Sequence, residues 1–214
     1  METYIIADTH FDHPDILFHA NRPWLKDGDR VNGRWVDKDI AAKRTEEMNN
    51  DMVERWNRVV TKRDRVIIIG DFAFKRHGRW VNVLNGKKIM ISGNHDDMAD
   101  IFKKQFTEYH EFGVDKIVNR QLITFCHYPM YTWDRKSEGA WCLFGHVHGR
   151  MPQGLPGPKN ISGGLMLDMG ADVWDYTPVH FDRVEKVMQE KRQALEEKGK
   201  TFKDPSCKRK GKTK

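Results

Sequence analysis

Five short apolar runs punctuate the chain, and each gives way to a polar residue or a glycine. They are residues 3–7 (TYIIA), 65–69 (RVIII), 87–92 (KKIMIS), 121–126 (QLITFC) and 141–144 (WCLF). Runs of this length, rich in β-formers and bounded by turn residues, predict strands. Their apolarity is continuous rather than alternating, which predicts burial on both faces. Between them, residues 41–60 carry Met48, Met52, Val53 and Trp56 at helical spacing among charges. Residues 75–85 and 97–106 are shorter helical segments. Residues 182–198 read as a polar surface helix, with Asp182 near its start and Gly199 to end it. Residues 26–39 and 150–160 read as loops, the second holding three of the eight prolines. Strands alternating with helices predict an α/β fold.

Composition narrows this picture. A chain of 214 residues favours one domain with a sizeable core, and seven Trp and eleven Phe favour a globular body. With 32% charged residues and a mean hydropathy of -0.75, a soluble protein is expected. No apolar run approaches the roughly 18 residues of a membrane span. The N-terminus has no basic region and no apolar stretch of signal-peptide length. The three cysteines show no CxxC spacing, which argues against a disulfide framework or a thiolate zinc site. Cys126 and Cys142 read as core residues, and this usage suits a reducing cytoplasm. The net charge is +6, and residues 187–214 alone, with ten basic and four acidic residues, account for it. We therefore read residues 1–198 as the domain and 199–214 as a basic, disordered tail. Such a tail is a solvated terminus or a contact for nucleic acid.

The candidate chemistry lies where the strands end. In α/β folds, sites form in loops beyond the carboxyl ends of strands. Asp8 and His10 follow the first run, Asp71 the second, and Asn94 and His95 the third, while His127 ends the fourth and His146 and His148 follow the fifth. A lone His or Gly-Asp at such a place is ordinarily structural. Five strand ends carrying imidazole, carboxylate or amide groups together point to a metal site. Imidazole and carboxylate without thiolate suit Mn, Fe, Zn, Co or Ni. More ligands than one tetrahedral ion needs imply two divalent ions, and an aspartate can bridge them.

The ordered set DTH at 8–10, GD at 70–71, GNHD at 93–96, His127 and GHVH at 145–148 resembles the calcineurin-like metallophosphoesterase superfamily. The resemblance covers the body from about Tyr4 to Phe181. The stretches ADTHFDHPDI and DMGADVWDYTPV look like a small prokaryotic and phage branch of it. The resemblance implies a four-layer αββα sandwich with two mixed β-sheets. It also implies that Asp8, His10 and His148 hold one metal, that Asn94, His127 and His146 hold the other, and that Asp71 bridges both. Asp71, Asn94 and His95 would form the catalytic set, with His95 facing the substrate rather than a metal. Two such cations lower the pKa of a shared water, so hydroxide would attack the phosphorus in line. In the protein Ser/Thr phosphatases of the superfamily, the Gly-Asp block continues with a further Asp and Arg. Here it continues Phe72-Ala73-Phe74-Lys75-Arg76, which argues against a protein phosphatase and removes the usual Asp partner of the catalytic His. Asp96 or Asp97 would then orient His95.

Substrate-binding candidates are Arg150, Arg22 and His13. Either Arg offers a bidentate fork for phosphate, whereas His13 would reach substrate or cap the segment starting near Pro14. Trp24 and Trp35, flanking the charged insertion, would stack on a base or simply pack. The function expected is a metal-dependent phosphodiesterase or phosphomonoesterase acting on a nucleotide or other small phosphorylated substrate. The alternatives are a nuclease holding nucleic acid through the tail, and a non-catalytic metal-binding scaffold. No membrane partner is expected.

Overall fold

A computed structural model describes residues 1–150 and 164–202. Its strands are β1 (Thr3–Ile6), β2 (Arg30–Val31), β3 (Arg34–Trp35), β4 (Arg65–Ile69), β5 (Lys87–Ile91), β6 (Glu108–His110), β7 (Gly113–Val118), β8 (Gln121–Cys126), β9 (Trp141–Phe144), β10 (Met166–Asp168) and β11 (Val179–His180). Its α-helices are α1 (Ile16–His19), α2 (Lys38–Val59), α3 (His77–Val83), α4 (Asp100–Lys103) and α5 (Phe181–Glu196). The result is a mixed α/β fold. All five predicted strands form within a residue or so of their expected ends.

The strands make two larger sheets and a hairpin. One sheet has the order β11-β1-β4-β5-β6 and the other β10-β9-β8-β7. β1, β4, β5 and β6 run parallel, with β11 antiparallel at the edge. β8, β9 and β10 also run parallel, with β7 antiparallel. The two sheets meet at one edge, where Ala7 beyond β1 forms a parallel bridge to Gly170 beyond β10. Their parallel strands therefore end side by side.

The continuous apolarity of the central strands is explained by two cores. Ile5, Ile67, Ile69, Ile89 and Ile91 pack against Ile123, Phe125, Trp141 and Leu143 of the second sheet. Their neighbours Ile6, Val66, Ile68 and Met90 pack on the other face against Met48, Met52 and Trp56 of α2 and Trp80 of α3. Alternate side chains of one strand thus enter different cores. α5 joins the inter-sheet core through Phe181, Val184 and Met188. On the outer face of the second sheet, Cys142, Phe144 and Met166 pack with Trp133.

Some local expectations change. The loop expected at 26–39 contains the β2–β3 hairpin, whose Asn32 and Gly33 both have positive φ, at 51° and 79°. Asn-Gly is the residue pair that such a two-residue hairpin turn favours. The helix expected at 97–106 is reduced to the single turn of α4, because Asp96 is drawn into the adjoining loops and Ala99 is extended. Gly199, at φ 84°, donates to Glu196 O and closes α5 as expected. The loop beyond Arg150 and the tail beyond Phe202 lie outside the described residues. Among the described residues, no helix is long and apolar enough to cross a membrane.

Candidate metal centre

Six strand ends converge at the shared edge. Beyond β1, Asp8 N donates to Gly70 O and His10 N to Asp71 O, so the loops after β1 and β4 extend each other. Beyond β8 and β9, Gly145 N donates to His127 O. This pairing is achieved with unusual backbone: Asp8, His10, Asp71, His146 and His148 all have positive φ, between 49° and 74°. That region costs roughly 1–2 kcal/mol per residue relative to ordinary conformations, although Asp and His enter it more readily than most. Strain of this kind concentrates at functional sites. At Gly70 (φ 77°) a side chain is excluded outright, since a Cβ would lie 2.2 Å from His127 Nδ1.

Two groups of side chains there could hold a metal ion, Asp8–His10–His148 and Asp71–His127–His146. Within each, the candidate ligand atoms lie within 4.8 Å of one another. The hydrogen bonds fix which nitrogens point inward. His127 Nδ1 lies 3.1 Å from Ile69 O, an acceptor only, so in the neutral ring Nδ1 carries the proton and Nε2 presents a lone pair. His148 Nδ1 lies 2.7 Å from Asp172 Oδ2, which leaves its Nε2 free in the same way. His10 Nε2 is buried without a hydrogen-bond partner. It lies 3.4 Å from Asp71 Oδ2, and His127 Nε2 is also 3.4 Å from that oxygen. Asn94 Oδ1 is 3.1 Å from His127 Nε2. Acceptors facing acceptors across a buried space are the donor set a cation satisfies, so these residues fit a metal.

Burial sets the charges. Asp8 is fully buried, and its pKa is pushed up to about 7 by that burial, which His148 and His127 only partly offset. His10 is lowered well below its ordinary value by burial and by the Arg22 guanidinium, so it is held neutral. Burial also lowers His146, with the neighbouring His127 adding to the effect. Burial opposes the charged form of Asp71 and of His127, yet their mutual contact wins, and the carboxyl is lowered while the imidazole is raised. The Asp172 carboxylate likewise overcomes burial at His148 and raises it.

The structure brings all seven expected ligand residues to this edge. His95 is exposed; its amide donates to Asp71 Oδ1 at 3.0 Å, and its ring lies 5.6 Å from that of His10. His13 accepts from Ile16 N at 3.0 Å, capping α1, while its ring lies 5.4 Å from His10 and 5.8 Å from His95. Arg150 is exposed at the end of the β9 loop. Trp35 packs on Phe18 and Trp24 on Tyr176.

Two expectations are corrected. Arg22 is not placed to clamp substrate. It is 1% exposed, and it donates to the carbonyls of Asp8 and Thr9 and, bidentately, to Asp172. Its guanidinium is consumed inside the fold, where it pins the β1 loop. Asp96 does not orient His95. Its carboxylate accepts from the amides of Asp71, Phe72 and Gly93, and so ties the β4 and β5 loops together. The sequence reading missed Asp172, which holds both His148 and Arg22, and Asp168, which accepts from the amides of Gly149 and Gly170. Their signal was available as DMGAD after the apolar Leu165-Met166-Leu167.

No family model matches the chain. It is similar to the uncharacterized protein MJ1445 of Methanocaldococcus jannaschii, at 28% identity over 193 residues, covering 87% of this chain and 90% of that one. Its fold is similar to that of a solved structure from Aquifex aeolicus, the protein of unknown function AQ665. The TM-score is 0.61 at 20% identity, over 87% of this chain and 98% of the other.

Two outcomes are expected. Asp172→Asn, in metal-stripped full-length protein, should weaken binding at the Asp8–His10–His148 group by about 10–100-fold, as loss of a ligand's supporting partner does. Titration with Mn, Zn or Co checks it, and unchanged affinity at every site would refute it. The second concerns pH. The folded pKa of Asp8 is raised, so without metal the carboxyl stays protonated up to about pH 7, and the stability it contributes is lost as pH rises through that value. A cation must displace this proton. Affinity should therefore climb as pH rises to about 7 and then flatten. Calorimetry at pH 6 in buffers of different ionisation enthalpy should register proton release.

Proposed function

We propose that the chain is a dinuclear, metal-dependent phosphoesterase of the calcineurin-like type, hydrolysing phosphodiester or phosphomonoester bonds of a nucleotide or another small substrate. One observation carries the reading: a single oxygen, Asp71 Oδ2, lies 3.4 Å from an imidazole nitrogen of each ligand group. That is the placement a bridging carboxylate needs. Asp8, His10 and His148 would hold one ion, Asn94, His127 and His146 the other, and Asp71 both. The two face-to-face sheets, with α2 and α3 against one outer face, support the αββα sandwich. Imidazole and carboxylate ligands fit Mn, with Fe, Zn, Co and Ni as other occupants. Buried free Cys126 and Cys142 fit a reducing cytoplasm.

When bound, a metal pair of this kind supplies positive charge for phosphate oxygens and acidifies water. The chain supplies the rest. Asp172, braced by Arg22, orients His148, and Ile69 O orients His127. Asp96 locks the backbone of Asp71, so Oδ2 stays at the junction while Oδ1 holds the His95 amide. His95 itself stands on the open side, with no ligand role. It binds the phosphate or donates a proton to the leaving oxygen.

Mn-loaded protein should hydrolyse members of a panel of aryl, nucleotide and cyclic mono- and diesters, and metal-stripped protein should not. Failure on the whole panel with metal bound would refute the proposal. His95→Ala should keep its metal and lose most turnover, while Asp71→Asn should weaken both ions together. Elemental analysis beside the kinetics separates these outcomes, and loss of only one ion in Asp71→Asn would rule out a bridge.

A further inference from the structure

Beside the metal centre lies a second concavity of about 670 Å³, within the range of about 300–1,000 Å³ typical of small-molecule sites. It begins at the loop after β1. Asp12 and Pro14 line it, and the residue between them is His13, whose ring meets His10 and His95. The loop after β1 thus contributes both to the candidate metal centre, through His10, and to this concavity, through Asp12 and Pro14.

Three features make it a built site rather than a surface dent. First, one wall is the N-terminal half of α2, which turns Ala41, Ala42 and Thr45 toward it, so small side chains leave the volume open. Second, Trp35 lines it with a fixed ring: Nε1 donates to Asp15 Oδ1 at 3.1 Å, and the ring packs on Phe18 at 4.3 Å. Third, its rim carries three basic residues, Lys38, Lys75 and Arg76, against the acids Asp12 and Glu46, and Arg76 is anchored. The Arg76 guanidinium is paired twice with buried Asp12, which also accepts from Asn49 Nδ2 at 2.9 Å and Trp80 Nε1 at 2.8 Å. Both Asp12 and Arg76 have positive φ, at 63° and 50°. The backbone is thus bent on both sides to set this pair, while the Arg76 side chain stays 55% exposed.

A fixed aromatic ring, a shallow wall of small side chains, an anchored guanidinium and two lysines together recognise a planar heteroaromatic group joined to an anionic one. We infer that this concavity is the substrate's organic subsite, and that the substrate class is a nucleoside phosphate. The base lies along Trp35 and the Ala41–Ala42 wall, and the cations meet the negative charge of the ester. The hydrolytic part of this inference rests on the phosphoesterase reading above; the binding part does not.

The test uses the full chain loaded with Mn. Adenosine and guanosine 5′-monophosphates are the nucleotide probes, the free nucleosides and ribose 5-phosphate are controls, and binding is read by calorimetry and Trp fluorescence. A nucleotide should bind at least tenfold more tightly than ribose 5-phosphate. Ala42→Trp, which fills the concavity from the helix surface, should abolish that advantage, and Trp35→Ala should reduce it. Metal content and circular dichroism confirm that the variants are folded and loaded. Nucleotides binding no better than ribose 5-phosphate, or binding Ala42→Trp undiminished, would overturn the assignment. Hydrolysis of an aryl phosphodiester in the same preparations tests the metal centre separately. Its absence there and across the mono- and diester panel, with variant-sensitive nucleotide binding retained, would uphold the subsite and remove the phosphoesterase reading.

Discussion

The structure is organised around a repulsion. In the neutral, ligand-competent form of His127, whose hydrogen bond to Ile69 O keeps the proton on the far side of its ring, Nε2 faces Asp71 Oδ2 and Asn94 Oδ1 at 3.4 and 3.1 Å as acceptor to acceptor. The partnerless His10 Nε2 lies 3.4 Å from the same Asp71 oxygen. Water would solvate such atoms singly; here burial removes that option for His10, His127 and Asp71. The rest of the fold can be read as what holds them in place. Two cores clamp the central strands from both faces, so the strand ends cannot drift apart. The loops beyond them are cross-linked by backbone hydrogen bonds that require left-handed residues. A pair of cations would turn the repulsion into attraction, and the strained backbone is then already in the bound geometry.

That organisation explains what was legible in the sequence. Strands packed on both faces show as uninterrupted apolar runs, and β1, β4, β5, β8 and β9 are of this kind. β7 shows no such run because only its last residue is buried, as expected for an edge strand with charged residues along it. β10 and β11 are too short to register a period. The candidate ligands were legible because each follows a visible strand. Asp172 was not, since β10 before it spans only three residues. Arg22 was misread for a related reason. Its partner is 150 residues away, and nothing local distinguishes an arginine that closes on a buried aspartate from one that faces solvent. His13 was left between two roles, and the structure shows the capping bond while leaving its ring beside the site.

Carboxylates near the site illustrate how identical side chains come to different tasks. Asp96 accepts three backbone amides and Asp168 accepts two, while Asp172 is engaged by a guanidinium and an imidazole. These oxygens are committed to protein donors, so they brace loops and ligands. Asp8 has both oxygens on one amide, that of His146, which leaves each oxygen with a lone pair to spare. Asp71 divides its two oxygens: Oδ1 takes the His95 amide and Oδ2 takes no N–H from the backbone. The His10 and His127 nitrogens each lie 3.4 Å from that oxygen. Counting donors at each oxygen therefore separates carboxylates that brace the loops from those left able to hold a metal. The count selects Asp8 and Asp71, the two that also belong to the compact His-containing groups. Sequence position alone does not separate the five, because each lies at or within a few residues of a strand's end. What distinguishes them is the supply of protein donors: backbone amides at Asp96 and Asp168, and the Arg22 and His148 side chains at Asp172.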